Sequence, residues 1–207
     1  VLKELGKLAC GVTVMAKDSQ EKLINYYGID KGKIAFIPHG TPDIAFSSTE
    51  IYKKQKKLTG KLVLGSINLI SENKGLEYTI EAVAKIAKTF PEVLGLIIGQ
   101  THPGVLEFQG EKYRNFLKKR VKELGITKNI KFIDKYLSLD DLILWLKTID
   151  FYVTPYLDSQ QSSSGALAYA IGAGKLCVST PYKYAKENLA ENRGIIVPFR
   201  NSEAIAK

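Results

Sequence analysis

Short runs of apolar residues, many of them β-branched, alternate along the chain with longer segments in which apolar residues recur every three or four positions. The short runs are typical of buried strands, and the longer segments are typical of amphipathic helices. Strands that alternate with helices in this way form parallel sheets joined by crossover helices. The pattern therefore predicts an α/β fold, a Rossmann-like open parallel sheet with helices on both faces.

The first 60 residues show this alternation only in part. The pattern predicts a strand at Val12–Met15, a helix at Gln20–Tyr27 capped by Asp18 and Ser19, and a strand at Lys33–Ile37. Residues 41–60 contain Pro42, three successive hydroxyl residues and a lysine cluster. That composition predicts a linker without a packed element, and we place a domain boundary there.

From residue 61 to residue 207 the alternation is regular and predicts one sheet domain. Strands are predicted at Leu62–Ile67, Leu94–Ile98, Ile130–Ile133, Phe151–Thr154, Leu176–Ser179 and Gly194–Pro198. Helices are predicted at Leu76–Thr89, Val105–Leu124, Leu139–Thr148 and Ser164–Ala173, with the start of another at Ser202–Lys207.

Composition excludes several classes of protein. The chain has 207 residues, of which 45% are hydrophobic and 25% charged, and this excludes a disordered, collagen-like or disulfide-stapled protein. Its two cysteines are far apart and no Cys/His cluster exists, which argues against a zinc site and favours a reducing compartment. No apolar run reaches the roughly 20 residues of a membrane helix, and the first residues carry no secretory signal. A first residue other than Met leads us to expect a fragment.

The formal net charge of +9 changes this picture little. Basic residues concentrate at Lys53–Lys57 and Lys112–Lys122, and apolar residues at helical spacing run through the second segment. This is typical of the solvated face of an amphipathic helix. No zinc finger, helix-turn-helix or RNA-binding pattern is present, so nucleic acid is not an expected partner. A surface that faces anionic lipid head groups remains an alternative.

Candidate chemistry lies where the predicted strands end, because open parallel sheets bind ligands beyond the carboxyl ends of their strands. The loop after the strand Leu62–Ile67 ends in Lys74 and Gly75 at a helix N-terminus, which is a natural phosphate site. The alternative is a solvated first-turn lysine. A lysine is unfavourable at the positive end of a helix dipole, and this favours a ligand there.

A second candidate is the loop after the strand Phe151–Thr154. Ser162, Ser163 and Ser164 precede a helix of small residues that begins near Gly165 and could offer free N–H groups to an anion. The alternative is a capped helix packed in the core. The segment Thr180–Glu187 is interpreted as a surface loop.

The two histidines, His39 and His102, are each a candidate general base or a candidate hydrogen-bond donor to a phosphate, with a structural role as the alternative. The chain lacks the glycine patterns of dinucleotide-binding and P-loop proteins, and it lacks carboxylate pairs spaced for glycoside hydrolysis. The remaining expectation is a ligand that carries a phosphate and binds at the carboxyl edge of a Rossmann-like sheet.

Four segments in order carry a resemblance to a known family. They are Ile34–Gly40, Glu72–Val83, Ser162–Lys175 and Arg193–Phe199. Together they resemble family 4 glycosyltransferases of the GT-B fold, and a mannosyltransferase-like branch in particular. The resemblance implies the C-terminal half of a GT-B fold. Residues 1–40 would then be the end of an N-terminal acceptor domain and the hinge, and residues 61–207 the nucleotide-sugar donor domain.

The resemblance also implies roles for single residues. Lys74 falls on the lysine that binds the donor diphosphate, beside Gly75, and Ser163, Ser164 and Gly165 fall at the helix N-terminus aimed at the same phosphates. The backbone of Ile133–Tyr136 falls where relatives hold the base, which makes Tyr136 a donor-binding candidate. Asn68 and Leu69 stand where relatives often have an arginine.

Two further positions depart from the family. Gln161 and Tyr169 stand where relatives have two glutamates, one near the sugar and one near the ribose. Gln161 can still hydrogen-bond a sugar hydroxyl, and Tyr169 can donate to a ribose. The resemblance makes Lys74 and Gln161 the catalytic candidates.

The implied activity is that of a retaining glycosyltransferase in polysaccharide biosynthesis. It would move a sugar from a GDP- or UDP-sugar to a glycan, a lipid-linked molecule or another acceptor, with no metal and no cofactor other than this substrate. The expected location is cytoplasmic, with peripheral binding at the inner membrane face as an alternative. The chain without its acceptor domain is expected to bind donor and turn over little. The alternatives are a non-catalytic nucleotide-binding module and a GT-B epimerase or phosphorylase.

Overall fold

The computed structural model describes all 207 residues and contains two parallel sheets. The smaller sheet pairs β1 (Val12–Val14) with β2 (Ile34–Phe36), next to helices α1 (Leu2–Leu8) and α2 (Lys17–Asn25). Its small core consists of Val14, Ile29 and Ile34.

The larger sheet has six parallel strands in the order β5-β4-β3-β6-β7-β8. The strands are β3 (Leu62–Ile67), β4 (Val93–Ile98), β5 (Ile130–Ile133), β6 (Phe151–Thr154), β7 (Leu176–Ser179) and β8 (Ile195–Ile196). The helices of this part are α3 (Thr49–Gln55), α4 (Leu76–Ile86), α5 (Pro103–Gln109), α6 (Lys112–Glu123), α7 (Leu139–Thr148), α8 (Gly165–Gly172), α9 (Lys183–Asn188) and α10 (Ser202–Ala206).

Helices cover both faces of the larger sheet. Residues of α7 and α8, such as Trp145 and Leu167, pack with Val63 and Leu96 on one face. Residues of α4 and α6, such as Ile80 and Leu117, pack on the other. The predicted α/β, Rossmann-like sheet with helices on both faces is confirmed.

The order of the strands places the ligand edge. From β3 the chain proceeds outward to β4 and β5, and then returns to β6 beside β3 before proceeding the other way to β7 and β8. The direction of winding therefore switches between β3 and β6. In an open parallel sheet a crevice forms at this point, beyond the carboxyl ends of the two strands.

The prediction that residues 41–60 hold no packed element is wrong for Thr49–Gln55, which form α3. Ser48 caps this helix by accepting a hydrogen bond from the N–H of Glu50, and α3 packs against α7. Lys53, within the lysine cluster, is 4% exposed and lies 2.8 Å from Asp150. Burial alone would lower its pKa, but the contacts with Asp150 and Glu50 outweigh burial and raise it. Where one domain ends and the next begins stays a prediction.

Three other local predictions are also wrong. The helix predicted at Val105–Leu124 is two helices, because Gly110 adopts φ +59° and ψ −143°, which no helix accommodates. Asp18 does not cap α2 but lies inside its first turn and pairs with Lys22 and Lys183. The segment Thr180–Glu187 is not only a loop, since α9 begins at Lys183.

The loops that follow β3 and β6 touch at the switch point. Gly75 has φ +60°, and a Cβ atom there would lie 2.3 Å from the carbonyl oxygen of Pro155. The N–H of Leu157 donates to the carbonyl of Asn73 over 2.8 Å. Glycine is therefore required at position 75 both for its backbone conformation and for the closeness of the second loop.

The role of Lys53 can be tested against its neighbour. We expect Lys53→Ala to lower the free energy of unfolding by about 2 kcal/mol, because it leaves Asp150 without its cation, whereas the exposed Lys54→Ala changes it by less than about 0.5 kcal/mol. Urea unfolding measures both. Equal effects of the two substitutions would show that the Lys53–Asp150 pair does not hold α3 on the sheet.

The cost of steric crowding at position 75 can be separated experimentally from the cost of its positive φ. Gly125 also has positive φ, of +69°, but a Cβ atom there would meet nothing within 4 Å. We expect Gly125→Ala to cost about 1 kcal/mol of stability and Gly75→Ala about 2 kcal/mol more, because only the second forces the two loops apart. Thermal unfolding of both variants checks this, and equal losses would contradict it.

Candidate functional site

Lys74 lies at the switch point, at the end of the short 3-10 turn Glu72–Lys74 that precedes α4. Its ammonium group lies 3.9 Å from the centre of the Tyr156 ring and makes no hydrogen bond or ion pair in the chain. Burial lowers the pKa of Lys74, and the charge of Asp158 opposes that shift only in part. The result is a partly buried cation that faces an aromatic ring rather than a carboxylate, and so remains able to bind an anion.

The ring below Lys74 is rigid and neutral. Tyr156 is fully buried and stacks on Tyr182, with ring centres 5.0 Å apart and planes 19° from parallel. Burial raises the pKa of Tyr156 well above its ordinary value and that of Tyr182 to about 12. Neither phenol ionises near neutral pH, so neither neutralises the lysine.

The N-terminus of α8, which follows the loop after β6, lies at the same edge of the sheet. Ser164 caps the helix, since its buried hydroxyl accepts from the N–H of Leu167 over 3.2 Å. The next two N–H groups, of Gly165 and Ala166, have no acceptor in the chain. The Ser164 hydroxyl opposes the rise in the pKa of Tyr156, so the start of α8 lies near the ring that Lys74 contacts. Lys74 and the start of α8 are thus both neighbours of Tyr156, and a cation and free helix amides are each suited to bind a phosphate.

His39, from the segment after β2, packs against this helix. A Cβ atom at Gly165 would lie 2.8 Å from Nε2 of His39, so the imidazole touches the first turn of α8. The ring meets that of Tyr169 edge to face, with centres 5.6 Å apart. Nδ1 lies 2.8 Å from the carbonyl oxygen of Gly40. A carbonyl only accepts, so Nδ1 carries the hydrogen, and the lone pair of the neutral ring is on Nε2.

Gln161 lies in the loop that leads into α8, on the same side as Ser163. Its Nε2 donates to the carbonyl of Ser163 over 2.9 Å, and its side-chain oxygen has no donor in the chain. The N–H of Tyr184 donates to its backbone carbonyl and fixes the loop against α9. The free amide oxygen can accept a hydrogen bond from a hydroxyl group.

The remaining candidates lie along the β4 and β5 side of the edge. Asn68 directly follows β3, and neither polar atom of its buried amide has a partner. Tyr136 lies in the loop after β5 and is 75% exposed. His102 caps α5 by accepting from the N–H of Gly104 over 3.2 Å, and it lines a cavity of about 280 Å³ with Ser71 and Asn73. The structure thus brings Lys74 and Ser164 together at Tyr156, and it brings His39 together with Gly165 and Tyr169. It gives His102 a capping role.

Sequence reasoning missed two residues of this edge. Tyr156 was not identified, because its contact with Lys74 depends on two loops that are far apart in the chain. Arg114 is fully buried on α6, where its position falls among the apolar residues Tyr113, Leu117 and Val121. A charged residue within the apolar face of a helix is the signal that could have identified it.

The structure contains no group of three or more His, Cys, Asp or Glu side chains placed to hold a metal ion. None of its helices has both the length and the apolar character needed to cross a membrane.

Solved structures of other proteins share this fold at low identity. HepE of Anabaena, solved in complex with UDP and glucose, has a TM-score of 0.79 at 18% identity over 99% of this chain and 54% of HepE. Sucrose-phosphate synthase of Thermosynechococcus elongatus has a TM-score of 0.79 at 19% identity over 99% of this chain and 49% of its own. The C-terminal domain of LpcC, a glycosyl transferase group 1 family protein of Francisella tularensis, has a TM-score of 0.67 at 22% identity, covering 79% of this chain and 81% of that domain.

This chain spans about half the length of HepE and of sucrose-phosphate synthase. Curated protein sequences give no match. The family model described as glycosyl transferases group 1 matches residues 47–207, which include all six strands of the larger sheet and the crevice between β3 and β6. The chain belongs to the group 1 glycosyl transferases.

Proposed function

We propose that this chain is the donor-binding domain of a retaining glycosyltransferase that uses a nucleoside diphosphate sugar. The observation that carries the proposal is the unpaired Lys74 cation at the switch point, over the Tyr156 ring that also neighbours the start of α8, where the N–H groups of Gly165 and Ala166 are free. A diphosphate would satisfy all three donors at once. Family membership supports the proposal, as does the presence of UDP and glucose in the HepE structure.

The chemistry that these groups offer is stabilisation of a leaving group. As the bond between the sugar and the diphosphate breaks, negative charge grows on the diphosphate oxygens. Lys74 and the helix amides would face that charge in a site where water is partly excluded, and preorganised donors of this kind lower the barrier to departure. The acceptor oxygen would then bond to the anomeric carbon on the same face of the sugar, and the hydroxyl proton would pass to an oxygen of the departing diphosphate.

The sugar and ribose would be bound by uncharged groups. The free amide oxygen of Gln161 would accept from a sugar hydroxyl, and Tyr169, held by the His39 ring, would donate to the ribose. Lys74 and Gln161 are the catalytic candidates in this proposal. Neither Gln161 nor Tyr169 carries the negative charge of the glutamates that the family resemblance leads one to expect.

The open side of the crevice indicates where the base would lie. Tyr182 and Tyr184, after β7, are buried, so that end of the edge is closed. The loop after β5 is exposed from Asp134 to Tyr136. Adjacent strands lie about 4.8 Å apart, so a nucleotide with its phosphates at Lys74 would extend across β4 and place its base near β5.

The finer parts of the proposal rest on the sequence motifs. By these motifs the chain would belong to the mannosyltransferase-like branch of family 4 and would use a GDP- or UDP-sugar as donor. The acceptor would be a glycan or a lipid-linked molecule, bound mainly by an N-terminal domain. No metal or additional cofactor takes part. The protein would work in the cytoplasm, with its basic surface available to an anionic membrane.

The proposal predicts the result of a calorimetric titration of this chain with UDP and with GDP. Lys74→Ala is expected to weaken binding of the preferred nucleotide about 10- to 100-fold, the usual effect of losing a hydrogen-bonded charge. The exposed Lys88, which has no ion pair, provides the matched control, since Lys88→Ala is expected to leave the affinity unchanged.

Equal affinity in wild type and Lys74→Ala would refute the assignment of the site. Nucleotide binding by the domain, combined with no sugar transfer by the protein that includes its acceptor half, would instead favour the non-catalytic module.

A further inference from the structure

Arg114 is the largest buried charged side chain of the molecule, with 1% of its side chain exposed. Its Nη2 donates to the carbonyl of Gly99 over 2.9 Å and lies 3.0 Å from a carboxylate oxygen of Asp134. Its Nε lies 3.2 Å from the hydroxyl of Thr101 and 3.0 Å from the carboxylate of Glu111. Nη1 is buried and has no partner.

These partners belong to the ligand edge of the sheet. Ile98 of β4 is directly opposite Ile133 of β5, so Gly99 and Asp134 are the first residues beyond the last paired positions of two neighbouring strands. Arg114 therefore joins the carboxyl end of β4 to the carboxyl end of the edge strand β5. Because β5 has a neighbour on one side only, Arg114 is the side chain that ties the start of its loop to the sheet.

Burial of a guanidinium group at this position of α6 carries a large desolvation penalty. Leu117 and Val121 show that the inner face of α6 is otherwise apolar, and an aliphatic side chain would be buried there with less desolvation. The buried guanidinium instead fixes the relative position of Gly99 and Asp134, because its planar group must bond to both. Through Asp134 it fixes the first residue of the loop Asp134–Leu137, which includes the exposed ring of Tyr136.

We propose that Arg114 is a positioning residue that holds the loop Asp134–Leu137 as one wall of the nucleobase subsite, and so determines which base of the donor nucleotide is accepted. The inference rests on the proposed function. Arg114 does not touch the nucleotide. It sets the orientation of backbone groups at the base edge and of the Tyr136 ring, on which a base can stack.

The test compares three variants of this chain. Arg114→Met removes the guanidinium but keeps a long side chain. Asp134→Asn removes only the carboxylate charge that Arg114 contacts at the end of β5. Because the side chain of Asp134 is half exposed, this variant is expected to fold even if Arg114→Met does not. Arg120→Met is the matched control, because Arg120 is on the same helix but pairs with Glu81 of α4 at 2.7 Å.

Calorimetry gives the Kd values of UDP, GDP, ADP and inorganic pyrophosphate for each protein, and thermal unfolding checks folding. For Arg114→Met we expect about a tenfold loss for the preferred nucleotide and a smaller loss for the others, so that the preference among bases collapses. Pyrophosphate should bind as in wild type, because Lys74 is not altered. Asp134→Asn should shift the preference in the same direction by a smaller factor, and Arg120→Met should not shift it.

An unchanged preference among the three nucleotides in Asp134→Asn and in any folded Arg114→Met would overturn the inference and leave the proposed function intact. Equal weakening of pyrophosphate and all nucleotides would also overturn it, since that result describes general damage. If wild type binds neither pyrophosphate nor any nucleotide, the proposed function itself fails, and this inference fails with it.

Discussion

The contact between the loops after β3 and β6 is the constraint on which the rest of the site depends. Gly75 permits it, because no other residue accepts both the positive φ and a carbonyl oxygen at the distance where a Cβ would be. Once the loops touch, Lys74 has to lie over Tyr156, which belongs to the second loop. Ser164, which caps α8, also lies near the Tyr156 hydroxyl. The position of the cation is thus a consequence of backbone packing rather than of an ion pair.

The partner of Lys74 determines what the cation can do. Lys53 and Lys183, by contrast, lie against carboxylates and serve the fold. A carboxylate below Lys74 would neutralise it in the same way. A buried phenol attracts the ammonium group through its ring but leaves the positive charge uncompensated. The burial that lowers the pKa of Lys74 also increases the gain from an incoming anion, because the site is poorly hydrated.

Most of the fold could be predicted from the sequence, because β-branched runs and helical periodicity are local signals. The strands β3 to β7 lie within a residue or so of their predicted bounds, and the helices of the core follow the same pattern. The failures have physical causes. Lys53 belongs to a cluster typical of solvated linkers, yet Asp150, which is distant in sequence, makes its burial favourable. Gly110 interrupts a pattern that periodicity alone reads as one helix.

Some residues of the candidate site could likewise be predicted from local sequence, and others could not. Lys74, Ser164 and Gly165 could be identified because each occupies a loop or a helix terminus at a strand end. The contact of Tyr156 with Lys74 could not, because it joins two loops that are distant in the chain. Arg114 could be noticed as a charge within an apolar helix face, but its partners at the ends of two strands could not be foreseen. The contact of His39 with Tyr169 likewise depends on how the segment after β2 meets α8. Such pairings are properties of the assembled sheet edge.

The central claim is that a nucleoside diphosphate binds between Lys74 and the N-terminus of α8. Amide NMR spectra of ¹⁵N-labelled protein, titrated with UDP and with GDP, test it most directly. We expect the amide signals of Gly165 and Ala166 to move most, together with that of Gly75. Saturable shifts confined to other surfaces, such as the apolar groove beside Phe90 and Ile205, with the amides at the start of α8 unmoved, would contradict it.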